Sequence, residues 1–408
     1  MSPELAERIR FVVELAGRLH TYGTSAQRLE GAIAAVASRL GLQCQIWSNP
    51  TGFIVSFADP EAMAGTGEIT RVVRLEPGEV DLYKTAATDA IAERVLAGEL
   101  EVSDGWHELR ALDRPQPGLW RVLNAASFGL AAACVAGLLR TRWADIVAAA
   151  AIGTLIGILF ALGAKRPRLA EALDAVAALL AAFLATAIAA FIEPLALKSV
   201  VVAALIVLLP GLTLTVAVGE LSSQHWVAGT ARFAGAMTVL LKLAFGTVAA
   251  TQLAHWLGWV PMEPVPAAPP DWLEWAALAV GSLAFAVLFR AQLRDYPLVM
   301  ASAWLGYLTS RFASLALGNE AGVFLAGLVV SAAANMYARA ANRPGALVRV
   351  PGIILLVPGS IGFRSLSFVF ERDVFLGLDA GFTLVSILVA LVAGSLFGNV
   401  LVPPRRSL

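Results

Sequence analysis

The chain has 408 residues, of which 58% are hydrophobic and 15% are charged, whereas about a quarter of an average soluble domain is charged. With a mean hydropathy of +0.73, this composition argues against a water-soluble globular enzyme and indicates a polytopic membrane protein. The 30 basic and 30 acidic side chains cancel, so no nucleic acid partner is expected. Two cysteines and four histidines give no basis for a disulfide framework, a metal site or a cofactor.

The first 118 residues form a hydrophilic region, with eleven of the basic and seventeen of the acidic side chains. Its opening segment has apolar residues at helical spacing between charges, which predicts an amphipathic helix rather than a signal peptide and a cytoplasmic N-terminus. A second helix is predicted over 26–40, capped by Thr24 or Ser25. Strands are predicted over 42–47, 52–57 and 69–75, and further helices over 80–97 and 104–112. Residues 1–118 are therefore predicted to be a cytoplasmic α+β domain.

The rest of the chain reads as membrane-spanning helices. The prolines and glycine of residues 113–118 mark the boundary. Ten segments then have about the 20 mostly apolar residues that a spanning helix needs. They lie near 120–139, 143–163, 172–192, 198–219, 230–257, 272–290, 296–316, 320–338, 348–370 and 374–401.

Basic residues in the connecting loops predict the orientation. If the first domain is cytoplasmic, eleven Lys and Arg residues lie in loops on its side and four on the other. This bias predicts that both termini are cytoplasmic. Residues 259–271 are then a periplasmic linker.

A Pro-Gly pair interrupts two of these spans. Pro210-Gly211 lies in the fourth span and Pro358-Gly359 in the ninth, each after an aliphatic run. The same place in two sets of five spans indicates a duplication over 119–258 and 272–408, inverted because five is odd. Paired breaks free backbone groups for a polar solute and predict the binding site, although packing kinks stay an alternative.

Polar side chains inside the spans are the other candidates, because ionisable groups are costly in a bilayer. Lys242, flanked by apolar residues, is predicted to be the best buried and to bind a substrate carboxylate together with Arg364 or the helix ends. Thr213 and Thr215, just past the first break, are candidates to bind a hydroxyl, or else bond a helix carbonyl.

The acidic residues Asp174, Glu220 and Asp379 are the candidates for coupling or gating. Glu220 or Asp379 could also receive a substrate ammonium group. For Asp174 and Glu220, a place at the cytoplasmic interface is the alternative.

Nothing in the hydrophilic region predicts catalysis. His20, Ser25 and nearby acidic residues include the residue types of a catalytic triad. The sequence has no nucleophile-elbow motif, phosphate-loop motif or histidine pair at metal-ligand spacing to support one. We predict no catalytic residues, no enzyme activity and transport driven by an ion gradient. A membrane-anchored hydrolase and a passive channel stay competing classes. The Gly153-x-x-x-Gly157 spacing is expected to serve packing within the bundle rather than dimerisation, so the sequence leaves a homo-oligomer open.

Three segments carry a family resemblance: residues 19–30, reading Leu-His-Thr-Tyr-Gly-Thr-Ser-Ala-Gln-Arg-Leu-Glu, residues 49–57 and residues 209–220. They resemble the threonine/serine exporter family over the whole chain. The resemblance implies a cytoplasmic domain followed by ten spans, and export of threonine, serine and similar solutes across a bacterial inner membrane, driven by the proton motive force. Related split systems imply a small dicarboxylate such as succinate as the alternative substrate.

The same resemblance singles out three residues of the hydrophilic region. Gly23, Arg28 and Glu30 match the family's motif, although Leu29 stands where valine is commoner. We interpret Arg28 and Glu30 as a structural charge pair on the second helix.

Overall fold

The computed structural model describes residues 3–58, 68–113, 118–163, 167–262, 264–265, 269–371 and 373–404. The protein is mostly helical, at 77%. Its first part contains helices α1 (Pro3–Thr21) and α2 (Ala26–Arg39), strands β1 (Gln43–Asn49), β2 (Gly52–Ala58) and β3 (Glu68–Arg74), and helices α3 (Leu82–Leu96) and α4 (Val102–Ala111).

The three strands form one antiparallel sheet in chain order. β1 and β2, at the first two predicted strands, make a hairpin with Asn49 opposite Gly52, and Gly52 also faces Arg74 of β3. Alternate residues of β2 point into a core shared with the apolar stripes of α1 and α2. Its largest fully buried side chains are Phe11, Leu15, Leu29, Ile33, Phe53 and Phe57. The predicted boundary falls on 114–117, outside the described residues, so the domain limits stay predictions.

Twelve further helices follow in the described part of the chain. They are α5 (Gly118–Leu138), α6 (Trp143–Gly163), α7 (Pro167–Phe191), α8 (Leu197–Ala204), α9 (Gly211–Ser222), α10 (Trp226–Trp256), α11 (Trp272–Leu288), α12 (Tyr296–Leu317), α13 (Asn319–Ala341), α14 (Ala346–Ile354), α15 (Gly359–Phe370) and α16 (Val374–Leu401).

Seven of the described helical segments are long and apolar enough to cross a membrane, or eight if the bent pair α8–α9 is one span. The segment from α14 to α15 counts as one of the seven. α11 is apolar but shorter, and α12 is not among the seven. A count of ten spans therefore stays a proposal. Of the basic residues behind the predicted orientation, Lys165, Arg166, Arg372, Arg405 and Arg406 lie outside the described residues.

Small residues let these helices pack closely. A methyl group at Gly153 would lie 2.8 Å from Ala132 Cβ, and one at Gly157 would lie 2.8 Å from Ala125 Cα. The Gly153-x-x-x-Gly157 spacing thus joins α6 to α5 within the chain, as predicted. Gly394 and Gly398 of α16 lie in the same way against α13.

Candidate functional site

The two Pro-Gly breaks have the same local structure. Pro210 has φ −80° and ψ 40°, and Pro358 has φ −84° and ψ 38°. In each, the glycine amide donates to the carbonyl two residues before it, at 2.8 Å for Gly211 and 3.0 Å for Gly359. The bend from α8 to α9 measures 54°. The two breaks that the sequence predicts therefore have the same backbone turn.

The two breaks also touch each other. A methyl group at Gly211 would lie 2.9 Å from Gly359 N, and one at Gly359 would lie 3.1 Å from Gly211 Cα. Such approach is open only to residues without a Cβ. Because each glycine is the first residue of its helix, the amino ends of α9 and α15 start side by side.

The threonines after the first break differ. Thr215 is buried, and its hydroxyl donates to Gly211 O at 3.1 Å, so it has the helix-bonding role that the sequence left open. Thr213 is half-buried and makes no side-chain hydrogen bond to the described residues. A hydroxyl-binding role for Thr213 stays a prediction.

A cavity of about 190 Å³ lies beside the breaks. Its walls come from α2 and α3 of the first part and from α9 and α14. Leu212, next to the first break, and Ile353 of α14 form part of the apolar wall. Arg28 and Arg349 are the cations that line it.

Arg28 projects into this cavity. Its side chain is exposed and lines the cavity, and desolvation by the surrounding protein lowers the pKa of the guanidinium to about 10. Among the described residues, no side-chain hydrogen bond or ion pair of Arg28 is formed. The group is charged at neutral pH and has no counter-ion in this part of the chain.

Two asparagine side-chain amides hold the guanidinium of Arg349. Its Nη2 donates to Asn335 Oδ1 at 2.7 Å and to Asn399 Oδ1 at 3.2 Å. Its buried Nε has no partner among the described residues. Neutral acceptors orient the guanidinium without cancelling its charge.

Glu220 joins the first part of the chain to α9. Its side chain is 1% exposed and makes a two-pronged ion pair with Arg232, at 3.0 and 3.1 Å. Glu220 Oε1 also accepts from Ala26 N, the first residue of α2, at 2.9 Å. Ser25 occupies the cap position, but its side chain makes no capping bond. Ser25 is thus at the predicted cap position, but the predicted capping bond is absent, and the distant Glu220 carboxylate accepts from the first amide of the helix.

Glu30 makes a second junction. Its Oε1 accepts from Ser48 N at 2.7 Å, and its Oε2 lies 3.1 Å from Nε2 of His225, in the turn between α9 and α10. The predicted Arg28–Glu30 charge pair is wrong, since residues two apart on a helix point in different directions. Glu30 contacts the turn between α9 and α10, while Arg28 faces the cavity.

Gly23 is explained by its backbone. Its φ is +80°, and a methyl group there would lie 3.0 Å from Glu79 C. Only glycine fits a left-handed turn with such a close neighbour. The turn sets the start of α2 and thereby the direction of Arg28.

Lys242 and Asp174 pair with each other. Lys242 Nζ donates to Glu171 O at 2.8 Å and lies 3.6 Å from Asp174 Oδ2, which joins α10 to α7. The expectation that Lys242 is the best buried ionisable group is wrong: its side chain is 37% exposed, against 1% for Glu220. Arg232 explains the difference, because it compensates the buried Glu220.

Arg364 and Asp379 are exposed and have no ion pair with the described residues. Neither they nor Lys242 line the cavity beside the breaks. Substrate contacts of Lys242 and Arg364, and coupling by Asp379, stay predictions.

Sequence reasoning missed Arg349, Arg232 and His225. Arg349 and Arg232 are two of the eleven basic residues counted in the loops to predict the orientation. Arg349 stands nine residues before Pro358, and the matching residue before Pro210 is Val201, so comparing the repeats gives no signal for it.

His20, which the sequence offered as a member of a catalytic triad, bonds to a backbone carbonyl instead. His20 Nε2 donates to Asn49 O at 3.0 Å, and Nδ1 has no partner among the described residues. Within those residues, no group of three or more His, Cys, Asp and Glu side chains could hold a metal ion.

Fungal proteins of greater length are similar to this chain. One is an uncharacterised protein of Schizosaccharomyces pombe, 24% identical over 349 residues, or 82% of this chain and 45% of the relative. Pheromone-regulated membrane protein 10 of Pichia sorbitophila is 24% identical over 350 residues, 82% of this chain and 34% of its own length. The protein of that name in Yarrowia lipolytica is 28% identical over 262 residues, 62% of this chain and 21% of its own length. The chain spans less than half the length of these relatives.

No solved structure matches the chain. Sequence models of the threonine/serine exporter family match residues 10–254 and, under the description "Threonine/Serine exporter, ThrE", residues 274–401. Together these matches span both Pro-Gly breaks and the motif at Gly23. The chain belongs to the threonine/serine exporter family.

Proposed function

We propose that the protein is a secondary exporter of small polar metabolites, threonine and serine first, driven by the proton motive force. The observation that carries this proposal is the contact of two broken helices, at Gly211 and Gly359, beside a mainly apolar cavity that Arg28 and Arg349 also line. Secondary transporters bind solutes where discontinuous helices expose backbone groups near a repeat interface. Membership of the exporter family gives the direction and the first substrates to test.

The proposed architecture has ten spans in two inverted sets of five, which includes the bent pair α8–α9 and the shorter α11 and α12. The equal turns at Pro210 and Pro358 support this arrangement. In inverted repeats, rocking of one half against the other opens the site to each side in turn.

The first 118 residues form a cytoplasmic domain in this proposal, and the membrane is a bacterial inner membrane. They supply one side of the cavity and are bonded to the last turn of α9 through Glu220 and to the turn after α9 through Glu30. A movement of α9 would therefore move the N-terminal residues as well. We assign Glu220 to gating on this basis.

A small dicarboxylate such as succinate is the second candidate substrate. The observation in its favour is that two cations, Arg28 and Arg349, line one small cavity. Threonine and serine carry only one carboxylate, so the two substrate classes can be separated by transport.

Efflux from preloaded bacterial cells tests the function. Cells with the protein and matched cells without it are loaded with labelled threonine, serine or succinate, and efflux is measured with and without an uncoupler. We expect protein-dependent efflux of threonine or serine that the uncoupler abolishes.

Other outcomes separate the alternatives. Efflux that the uncoupler leaves unchanged would identify a passive channel, and efflux of succinate alone would change the substrate class. If none of the three solutes leaves the cells, export of these solutes is wrong. A hydrolase would instead release new labelled products inside the cell, which chromatography of the extracts detects.

A further inference from the structure

The cavity beside the broken helices holds more positive charge than the described residues neutralise. Arg28 forms no ion pair there, and Arg349 bonds to asparagine oxygens, which are neutral. Asp89 also lines the cavity, and this residue is not without a partner. For Arg28, desolvation is the cause of the lowered pKa, with no carboxylate acting against it.

A cation that the protein shields from water and leaves unpaired is costly unless a ligand compensates its charge. Taking a charged group out of bulk water without a partner is unfavourable, so a cation at such a place is normally paired with a carboxylate. Here the protein orients one guanidinium with two amides and leaves the other free. A guanidinium presents a planar fork of N–H donors that matches a carboxylate in a two-pronged geometry.

The remaining walls limit the size and nature of the ligand. The volume of about 190 Å³ lies below the range of about 300–1,000 Å³ of pockets for drug-sized ligands. Leu212, Val216 and Ile353 make one side apolar, whereas Thr24 and Ser25 bring hydroxyl groups to the other. A carboxylate on a short chain with few further polar groups suits these walls.

We propose that Arg28 and Arg349 bind the carboxylate of the transported metabolite in this cavity. The proposal rests on the proposed function, because it makes the cavity the cytoplasmic binding site of the exporter. Arg28 comes from α2, Arg349 from α14, and Leu212 follows the break before α9. A shift of α2 or α14 would take one of the two arginines away, and a shift of α9 would move the apolar wall, so each would release the solute.

Binding to the purified full-length protein tests the assignment. Isothermal titration measures the affinity for threonine, for succinate and for threoninol, which has an alcohol in place of the carboxylate. We expect threonine to bind and threoninol to bind at least tenfold more weakly, as loss of one charged hydrogen bond implies.

Arginine variants locate the site. Arg28→Gln and Arg349→Gln should each weaken threonine binding about tenfold or more and raise the KM of efflux by a similar factor. Arg28→Lys keeps the charge without the fork and should lie between. Arg39→Gln is the matched control, since Arg39 is an exposed residue of the same helix α2 that does not line the cavity. Unfolding temperatures of all variants show that each one is folded.

The outcomes separate this assignment from the export function. Threonine efflux with an unchanged KM in both Gln variants would overturn the site and leave the function intact. Arg28-dependent binding of succinate, without efflux of threonine or serine, would support the site and overturn the substrate. If threonine, serine and succinate all fail to bind the folded protein at millimolar concentration, the site is wrong.

Discussion

The backbones of Gly211 and Gly359 are in direct contact, so each helix break leaves space for the other only because neither residue has a side chain. A methyl group at Gly211 would lie 2.9 Å from Gly359 N and would also contact Val357. A side chain at either glycine would therefore disturb the packing of both helix breaks.

We predict that Gly211→Ala lowers stability by about 1–3 kcal/mol, the usual cost of forcing extra atoms into a packed site, and reduces efflux severely. Thermal unfolding and threonine efflux measure the two effects. Gly219→Ala is the matched control, since it lies on the same helix with nothing within 4 Å of the added methyl group. A Gly211→Ala variant as stable and active as the control would refute the tight contact.

The Glu220–Arg232 pair gives the second prediction. Glu220 is buried and also caps α2, so Glu220→Ala leaves both the Arg232 guanidinium and the Ala26 amide without their partner. We expect a loss of about 3–5 kcal/mol, typical of breaking a buried pair.

A surface pair provides the comparison for this loss. Lys198 and Glu371 lie 3.1 Å apart, but their side chains are 72% and 45% exposed. Lys198→Ala should change stability by no more than about 1 kcal/mol. Equal unfolding temperatures for Glu220→Ala and Lys198→Ala would contradict the structural role of Glu220.

Patterns close together in the chain could be predicted, whereas most of the site could not. The strand pattern around Asn49 and Gly52 and the repeated Pro-Gly pairs are local features. The β1–β2 hairpin and the two helix breaks lie at the positions that these features indicate. The cavity depends on Arg28 and Arg349, which only the packing of α2 against α14 brings to one place. Burial of Glu220 depends on a partner from another helix, which hydropathy alone does not report.

Lys242 and Asp174 provide the third prediction. The pair connects α10 with α7, and removing one member leaves the other charge uncompensated inside a helical bundle. Lys242→Met and Asp174→Asn should each reduce the efflux rate, and the double variant should recover part of it. Because Lys242 is partly exposed, we expect a coupling energy of only about 1 kcal/mol.

The double-mutant cycle is read from efflux rates at equal protein amounts in the membrane. Additive losses in the double variant would show that the two side chains act independently. That result would favour the separate substrate role predicted for Lys242 from the sequence.

The last prediction concerns the pH dependence of stability at His20. Burial lowers the pKa of His20 below 6.5, and the positive charge of Arg232 acts in the same direction, while the carbonyls of Asn49 and Pro50 oppose it. A second ring proton would sit on Nδ1, which is buried without an acceptor among the described residues. The folded protein therefore favours the neutral ring.

The sign of the effect follows from linkage, because the unfolded chain binds this proton more readily than the folded one. The stability that neutral His20 contributes is present above pH 6.5 and is lost as the pH falls below it. His20→Gln keeps an N–H donor for Asn49 O and removes the titration. The variant should lose less stability than the wild type between pH 6.5 and 5, as measured by thermal unfolding. His107→Gln, at an exposed position of α4, should follow the wild type, and equal slopes for all three proteins would exclude His20 as the source.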